Sequence, residues 1–246
     1  LKGRAKATVT LRPDGAAAAT ATASTLGIGY FKVAELRVNA SLPRWRDSIN
    51  GRIDAEARQV TAGAVSLDTA TARIEPKKGI FGFNFTGSGI AAAPFTVNTV
   101  GTYDPGPRRL ALSQFSGRYA DTPVSLRKAT SLSFGKDIAV APFELTWGET
   151  SISGEAALGS KYSGRMVVKG LPVRNIGALA GRQDLQGSVE ATLTLSGTND
   201  DPNAQMTVKI SRFAFSDAAK QSPAGDLSFN ATLTRSGLDW RAELNS

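Results

Sequence analysis

Apolar and polar residues alternate with period two along most of the chain, the signature of strands with one apolar face. Ala5, Ala7, Val9 and Leu11 fall on one side and Lys6, Thr8 and Thr10 on the other. Ile53, Ala55 and Ala57 alternate with Asp54, Glu56 and Arg58, and Phe81, Phe83 and Phe85 with Gly82, Asn84 and Thr86. Val189, Ala191, Leu193 and Leu195 alternate with Glu190, Thr192 and Thr194. Met206, Val208 and Ile210 follow, and then Phe213 and Phe215 out of phase, which predicts a bulge near Ser211 and Arg212. Leu227, Phe229, Ala231 and Leu233 return through Arg235, Ser236 and Gly237 to Leu238, Trp240, Ala242 and Leu244, the pattern of a hairpin.

The turn formers agree with this reading. Pro13-Asp14-Gly15, Asp104-Pro105-Gly106-Pro107 and Asn199-Asp200-Asp201-Pro202 each separate two strand-like runs. Gly3, Gly51 and Gly187 each open a strand whose apolar residues fall at alternate positions, a degenerate repeat of uneven spacing. Residues 171–181 break the alternation. Val173, Ile176 and Leu179 recur every three residues behind Pro172, and Gly181 can end the run, so a short helix is expected. Residues 42–49, with Pro43 at the first turn, offer a second, weaker helical stretch.

Strands with one apolar face must cover it, and a sandwich, a closed barrel or a curved sheet folded on itself would do so. A membrane barrel places its apolar face outward between aromatic girdles. Aromatic residues make up only 7% of this chain and do not gather at strand ends, which argues against that solution. At 246 residues, with 41% hydrophobic and 20% charged residues, the chain is long and apolar enough for one large or two smaller β domains.

The formal charge is +8, but the basic residues are scattered along the chain, so a nucleic-acid partner is not expected. Solvated surface or lipid phosphate is the alternative use for them. Cysteine and histidine are both absent, removing disulfides, thiolate metal sites, the usual general base and the commonest metal ligand. An enzyme is therefore not expected, nor a metal or cofactor. No run approaches the roughly 20 apolar residues of a membrane-spanning helix. The chain begins and ends beside strand-like runs and reads as a segment of a longer protein.

From Thr122 onward the order of parts carries a resemblance. Pro123-Val124-Ser125-Leu126 leads to Ser131-Leu132-Ser133-Phe134 and then Phe143-Glu144-Leu145-Thr146-Trp147. Ile152 to Gly159 and Ser163 to Gly170 follow, then the helix-like stretch after Leu171, the strand from Leu185 to Leu193, and Leu195-Ser196-Gly197-Thr198 before Pro202. This succession resembles the repeating segments of the TamB family, the inner-membrane subunit of the bacterial translocation and assembly module, among the AsmA-like and bridge-like lipid-transfer proteins. Residues 122–246 carry the clearer repeat units and 1–121 looser ones within a single elongated segment.

The resemblance implies an all-β fold, a long curved antiparallel-rich sheet folded into a β-taco trough with an apolar interior and one or two short helices. It implies a periplasmic location in a parent anchored in the inner membrane, and movement of phospholipid toward the outer membrane in support of outer-membrane biogenesis. Phospholipid acyl chains are then the expected ligand. The outer-membrane barrel partner of the family cannot be assigned to any residue here. The expected groove lining is Phe81, Phe83 and Phe85; Val189, Ala191, Leu193 and Leu195; Met206, Val208, Ile210, Phe213 and Phe215; and Leu227, Phe229, Leu233, Leu238, Trp240 and Leu244. A structural or adhesive β-sandwich that binds a protein remains the alternative.

Other patterns carry less. Ser125 and Lys128 have the spacing of a serine acyl enzyme, but a strand would point them to opposite faces. Gly27-Ile28-Gly29 and Gly87-Ser88-Gly89 lack the rest of a phosphate-binding fingerprint. Asn199, Asp200 and Asp201 could offer oxygens to calcium, but without a later bidentate carboxylate they read as a plain turn. Asn39, Asn84 and Asn230 match a glycosylation triplet that Thr-rich strands generate by chance. Lys77-Lys78 and Arg108-Arg109 sit beside turn residues, where solvated loops or lipid head-group contacts are the two readings.

Overall fold

The computed structural model describes residues 2–43, 50–179, 184–217, 220–221 and 224–245. It is all-β and antiparallel, with 80% of residues in strands and 2% in helix. Two units divide the chain, Leu1–Ser125 and Leu126–Ser246. The first holds β1 (Lys2–Leu11), β2 (Ala17–Ile28), β3 (Phe31–Leu42), β4 (Arg52–Ala62), β5 (Val65–Lys77), β6 (Ile80–Ala91), β7 (Ala93–Asp104), β8 (Arg109–Tyr119) and the first part of β9 (Thr122–Lys128). Every strand here pairs antiparallel with the next in sequence.

The second unit runs through β10 (Thr130–Phe134), β11 (Ile138–Trp147), β12 (Thr150–Leu158), β13 (Tyr162–Pro172), α1 (Val173–Leu179), β14 (Leu185–Gly197), β15 (Pro202–Asp217), β16 (Lys220–Gln221), β17 (Gly225–Thr234) and β18 (Gly237–Asn245). It too is a sequential meander, in which β16 pairs with the end of β15 and β17 takes the long pairing with β15.

The turns use the predicted residues. Asp14 Oδ1 accepts from the Ala16 N–H at 3.0 Å and Asp104 Oδ1 from the Gly106 N–H at 3.0 Å, short-range bonds that reverse the chain. Thr198 and Asp201 exchange backbone bonds at 3.1 and 3.3 Å across the β14–β15 turn. Thr234 pairs with Gly237, so Arg235 and Ser236 form the two-residue turn of the predicted hairpin.

The repeated strand-opening glycine has a physical cause. Gly187 has φ 126° and lies at a register shift between Gln186 and Ser188; a Cβ there would sit 2.9 Å from the Ser211 carbonyl oxygen. Across the ladder Arg212 has φ 53°, and β15 slips register between Ile210 and Phe213. This is the predicted bulge, and it returns Phe213 and Phe215 to the face of Ile210. Gly3 repeats the device at a shift between Lys2 and Arg4, opposite Thr25 with φ 55°. Only glycine fits where a strand must yield to a bulged neighbour.

The expected helix forms at α1, with Val173 buried but Ile176 44% exposed, so the three-residue spacing does not mark one buried face. Of the second helical stretch, Leu42 ends β3 and Pro43 begins a turn, and 44–49 lie outside the described residues. No helix among the described residues is long and apolar enough to cross a membrane.

Neither unit closes over a core. Among the described residues the buried apolar side chains are Ala70, Pro76, Val173 and Val189. The chain exposes 16433 Å². Two separate compact bodies of half its mass would expose about 12,600 Å², and one compact body about 10,400 Å². The surplus is what a sheet with an uncovered face produces.

Candidate functional site

Registration turns alternation into faces. In the first unit Ala7, Ala21, Val38, Ala55, Ala72, Phe85, Thr99 and Phe115 are successive cross-strand partners from β1 to β8. A second such row joins Val9, Ala19, Ala40, Ile53, Ile74, Phe83, Gly101 and Leu112. On the other side Lys6, Thr22, Arg37, Glu56, Thr71, Thr86, Asn98, Ser116 and Ser125 are polar without exception across nine strands. One-residue slips would mix these sets, so the bulges preserve the faces.

The floor of the apolar face is thin in β1–β5, where alanine dominates, and becomes aromatic from β6. Phe83 lies over Gly101, whose missing side chain leaves the ring room; a Cβ there would be 2.6 Å from it. Phe81 meets Tyr103 at a ring separation of 6.4 Å. Phe81, Phe83 and Phe85 thus share one face, half-buried, as the alternation implies.

The second unit is built the same way with larger side chains. Phe143, Gly154, Met166, Leu193, Met206, Ala231 and Trp240 form one row. Leu145, Ile152, Val168, Ala191, Val208, Phe229 and Ala242 form the next. Leu195 continues through Ala204, Leu233 and Leu238, and Val189 through Ile210, Leu227 and Leu244. Phe213 and Phe215 meet edge-on at 5.3 Å, with Phe215 opposite Leu185. Every lining residue expected in this unit therefore falls on one face. That face stays open: Trp240 is 67% exposed and stacks on Phe229 at 6.2 Å, and Leu238 and Leu244 are similarly exposed.

Sequence reading did not single out the β1–β5 alanines, Val38, Val97, Phe115, Ile152, Met166 or Val168 as lining, yet they share these faces. Alanine gives weak contrast in an alternation, and face membership on β12 and β13 needs the register. Both methionines of the chain, Met166 and Met206, flank Leu193 as direct cross-strand neighbours.

The polar face of the first unit holds an exposed charge network. Asp54 accepts from Arg52 at 2.6 Å and from Arg73 at 3.0 Å, and Arg58 pairs with Glu56 at 2.8 Å. The hydrogen bond from Arg52 and then that from Arg73 hold the Asp54 carboxyl below its usual range, and the Asp54 bond holds Arg52 above its own. A general acid or base near neutral pH needs a carboxyl shifted the other way. Beside this network is a shallow cleft of about 500 Å³ between Arg37, Asn39, Glu56, Thr71, Asn84 and Thr86. Ser125 and Lys128 lie in β9, a strand, and Asn39, Asn84 and Asn230 lie within strands.

Compared with known proteins, the chain matches no family model, no curated protein and no solved structure. What fold and faces define is a class by construction: all-β units of sequentially paired strands, each polar on one side and apolar on the other.

Proposed function

We propose that this chain is a lipid-handling segment whose apolar faces replace the bilayer as solvent for phospholipid acyl chains. The observation that carries the reading is the set of unbroken cross-strand apolar rows whose side chains are left half-exposed or exposed. Large uncovered apolar surfaces are rare on proteins with no partner for them. Each buried methylene contributes about 0.8 kcal/mol, so a sixteen-carbon chain resists exposure to water by about 12 kcal/mol. Rows without directional polar groups hold such a chain with no fixed register, which lets it slide from strand to strand. The resemblance of residues 122–216 to TamB-like repeats supports placing this activity in the periplasm, in a parent protein anchored in the inner membrane. There a trough folded from such sheets would pass phospholipid to the outer membrane.

The alternative is a protein-binding β-sandwich. It requires the apolar faces to pack dry, and the scarcity of buried apolar side chains weighs against it. The test is co-purifying phospholipid, read by mass spectrometry, combined with a photo-crosslinker at Leu193 or Phe229 and at Thr192 as the polar-face control. Lipid adducts at Leu193 and Phe229 but not Thr192 are expected. Equal adducts at all three positions, or none at any, overturn the proposal.

A further inference from the structure

We propose that the first unit seats one acyl chain across its strands, in a shallow crease made by an aligned row of β-bulges; this rests on the lipid reading above and adds where the chain lies and in which direction. On β2 the apolar face passes from Ala23 to Leu26, on β3 from Leu36 to Val33, on β4 from Ala57 to Val60 and on β5 from Ala70 to Leu67. Each step is three residues, an odd number that would carry the second residue to the polar face of a regular strand. The register shows that it does not. Leu26, Val33, Val60 and Leu67 are successive cross-strand partners leading to Gly89. Ala23, Leu36, Ala57 and Ala70 lead in the same way to Gly87, two residues before Gly89 on β6 and so on the same face. Each of the four strands therefore holds one extra residue at the same level, Thr25, Ala34, Gln59 and Asp68, and the ladders between them skip all four. Thr25 and Gln59 take φ of 55° and 49°.

A single bulge bends one strand, and four at one level bend the sheet along a line. The bend closes toward the apolar face. Ala70, beside the line on that face, is 8% exposed and Gly89 is buried, whereas the bulged Thr25, Gln59 and Asp68 are exposed. The flanking strands yield with glycine: a Cβ on Gly3 would lie 2.8 Å from the Thr25 carbonyl oxygen, and one on Gly89 would run into the Ser66 carbonyl. In the second unit the register shifts fall at different levels, between Val140 and Phe143, Val168 and Leu171, and Ile210 and Phe213, and make no such line. The crease supplies a direction. It runs from β2 to β6, four strand spacings or about 19 Å. One leaflet's hydrocarbon is about 15 Å deep, half a bilayer core. The side chains on both of its lips are those of Ala, Leu and Val, with Gly on β6. Such a seat matches an uncharged hydrocarbon chain and gives it no fixed register, so a chain lying there moves by passing from strand to strand.

The experiment uses the whole chain and a phosphatidylcholine with one fluorescent acyl chain. Ala23→Phe with Ala57→Phe fills the crease, and Ala19→Phe with Ala40→Phe adds the same bulk two rows away on the same face. The first pair should weaken binding about tenfold and the second no more than about threefold, with native circular dichroism in both. A photo-crosslinker placed singly at Ala23, Ala57 or Ile53 reads position and direction even if the crease pair does not fold. Ala23 and Ala57 lie along the crease on β2 and β4, whereas Ile53 lies farther down β4. Lipid adducts are expected at Ala23 and Ala57, severalfold above Ile53. Equal weakening by the two pairs, or adducts at Ala57 and Ile53 but not Ala23, overturns the crease while leaving lipid binding intact. Self-association that the crease pair abolishes, without lipid adducts at Ala57, gives the crease to a second copy and overturns the proposal. No binding by the native chain removes the lipid reading itself.

Discussion

The two units solve the same problem with different side chains. Across β1–β5 of the first, the cross-strand rows mix alanine with Val9, Val38, Ile53 and Ile74, and aromatic bulk arrives with the phenylalanines of β6–β8, Phe83 among them seated over Gly101. Across β11–β18 of the second, Met, Leu, Ile, Val, Phe and Trp predominate, with Gly154 and alanines interspersed, and the two methionines are adaptable side chains. An alanine floor makes a smooth bed of fixed depth, and a Met- and Leu-rich one adapts to its occupant. On the lipid reading proposed above, the first unit would offer a shallow bed and the second a deeper one that accommodates its occupant.

The largest effect should come from filling the glycines that keep each face flat. A Cβ at Gly101 would run into the Ala111 carbonyl and the Phe83 ring, and one at Gly154 would lie 2.7 Å from the Arg165 carbonyl and 3.2 Å from the Phe143 ring. Gly101→Val and Gly154→Val should each cost about 3 kcal/mol or more in urea unfolding followed by circular dichroism. If Gly101→Val alone is tolerated, the ring-over-glycine arrangement of the first unit is not structural.

A sharper division comes from changing bulk on the two floors. Leu193→Ala removes a half-buried side chain between two methionines and should cost about 1–2 kcal/mol, below the range for a sealed core. Ala55→Leu and Ala72→Leu add bulk to a face with nothing packed on it, so stability should move by less than about 0.5 kcal/mol. Were those two alanines covered by a second layer, the cost would be about 1–3 kcal/mol. That outcome would favour the sandwich and retire the lipid reading.

The methionines test accommodation directly. Met166→Gln and Met206→Gln together should weaken binding of a fluorescent acyl chain several-fold, about 1 kcal/mol, with little change in unfolding midpoint because both side chains are already exposed. The same polar pair at Ala55 and Ala72 should weaken it less, because alanine has little apolar surface to lose. Identical profiles for the two pairs would erase the distinction between the units.

Much of the fold was legible because each strand pairs with its neighbour in sequence. A meander needs no long-range choice, so period two plus turn residues nearly determines it. The bulge near Ser211 and Arg212 was visible as the phase slip between Ile210 and Phe213, since a bulge is the local way to shift phase without losing a face. The reason for Gly3 and Gly187 was not visible, because it lies in the carbonyls of the adjacent strand. Nor was the meeting of two basic pairs at one end of the first sheet. Lys77-Lys78 and Arg108-Arg109 are 31 residues apart at their first members, and only the antiparallel order brings them to one end. The apolar faces of Ala5 and Ala7 and of Ala55 and Ala57 were legible as alternation, but these alanines were not counted as lining, because so small a side chain gives weak contrast.

The smallest expected effect lies on the polar face of the first unit, for which the second has no three-residue counterpart among the described ion pairs. Asp54 joins Arg52 on its own strand to Arg73 on β5, and its carboxyl is held below the usual value by those two hydrogen bonds. A depressed carboxyl adds stability above its unfolded value, near pH 3.9, and that contribution is lost as the pH falls through the lower folded value. Acid unfolding monitored below about pH 4 should therefore show a slightly steeper loss in the native chain than in Asp54→Asn. The network is exposed, so salt near 1 M, where the Debye length is about 3 Å, should bring the two curves together. A difference that survives high salt would mean that Asp54 acts by holding β4 to β5 through geometry, and the polar face would then share the structural burden that the apolar rows are argued to carry alone.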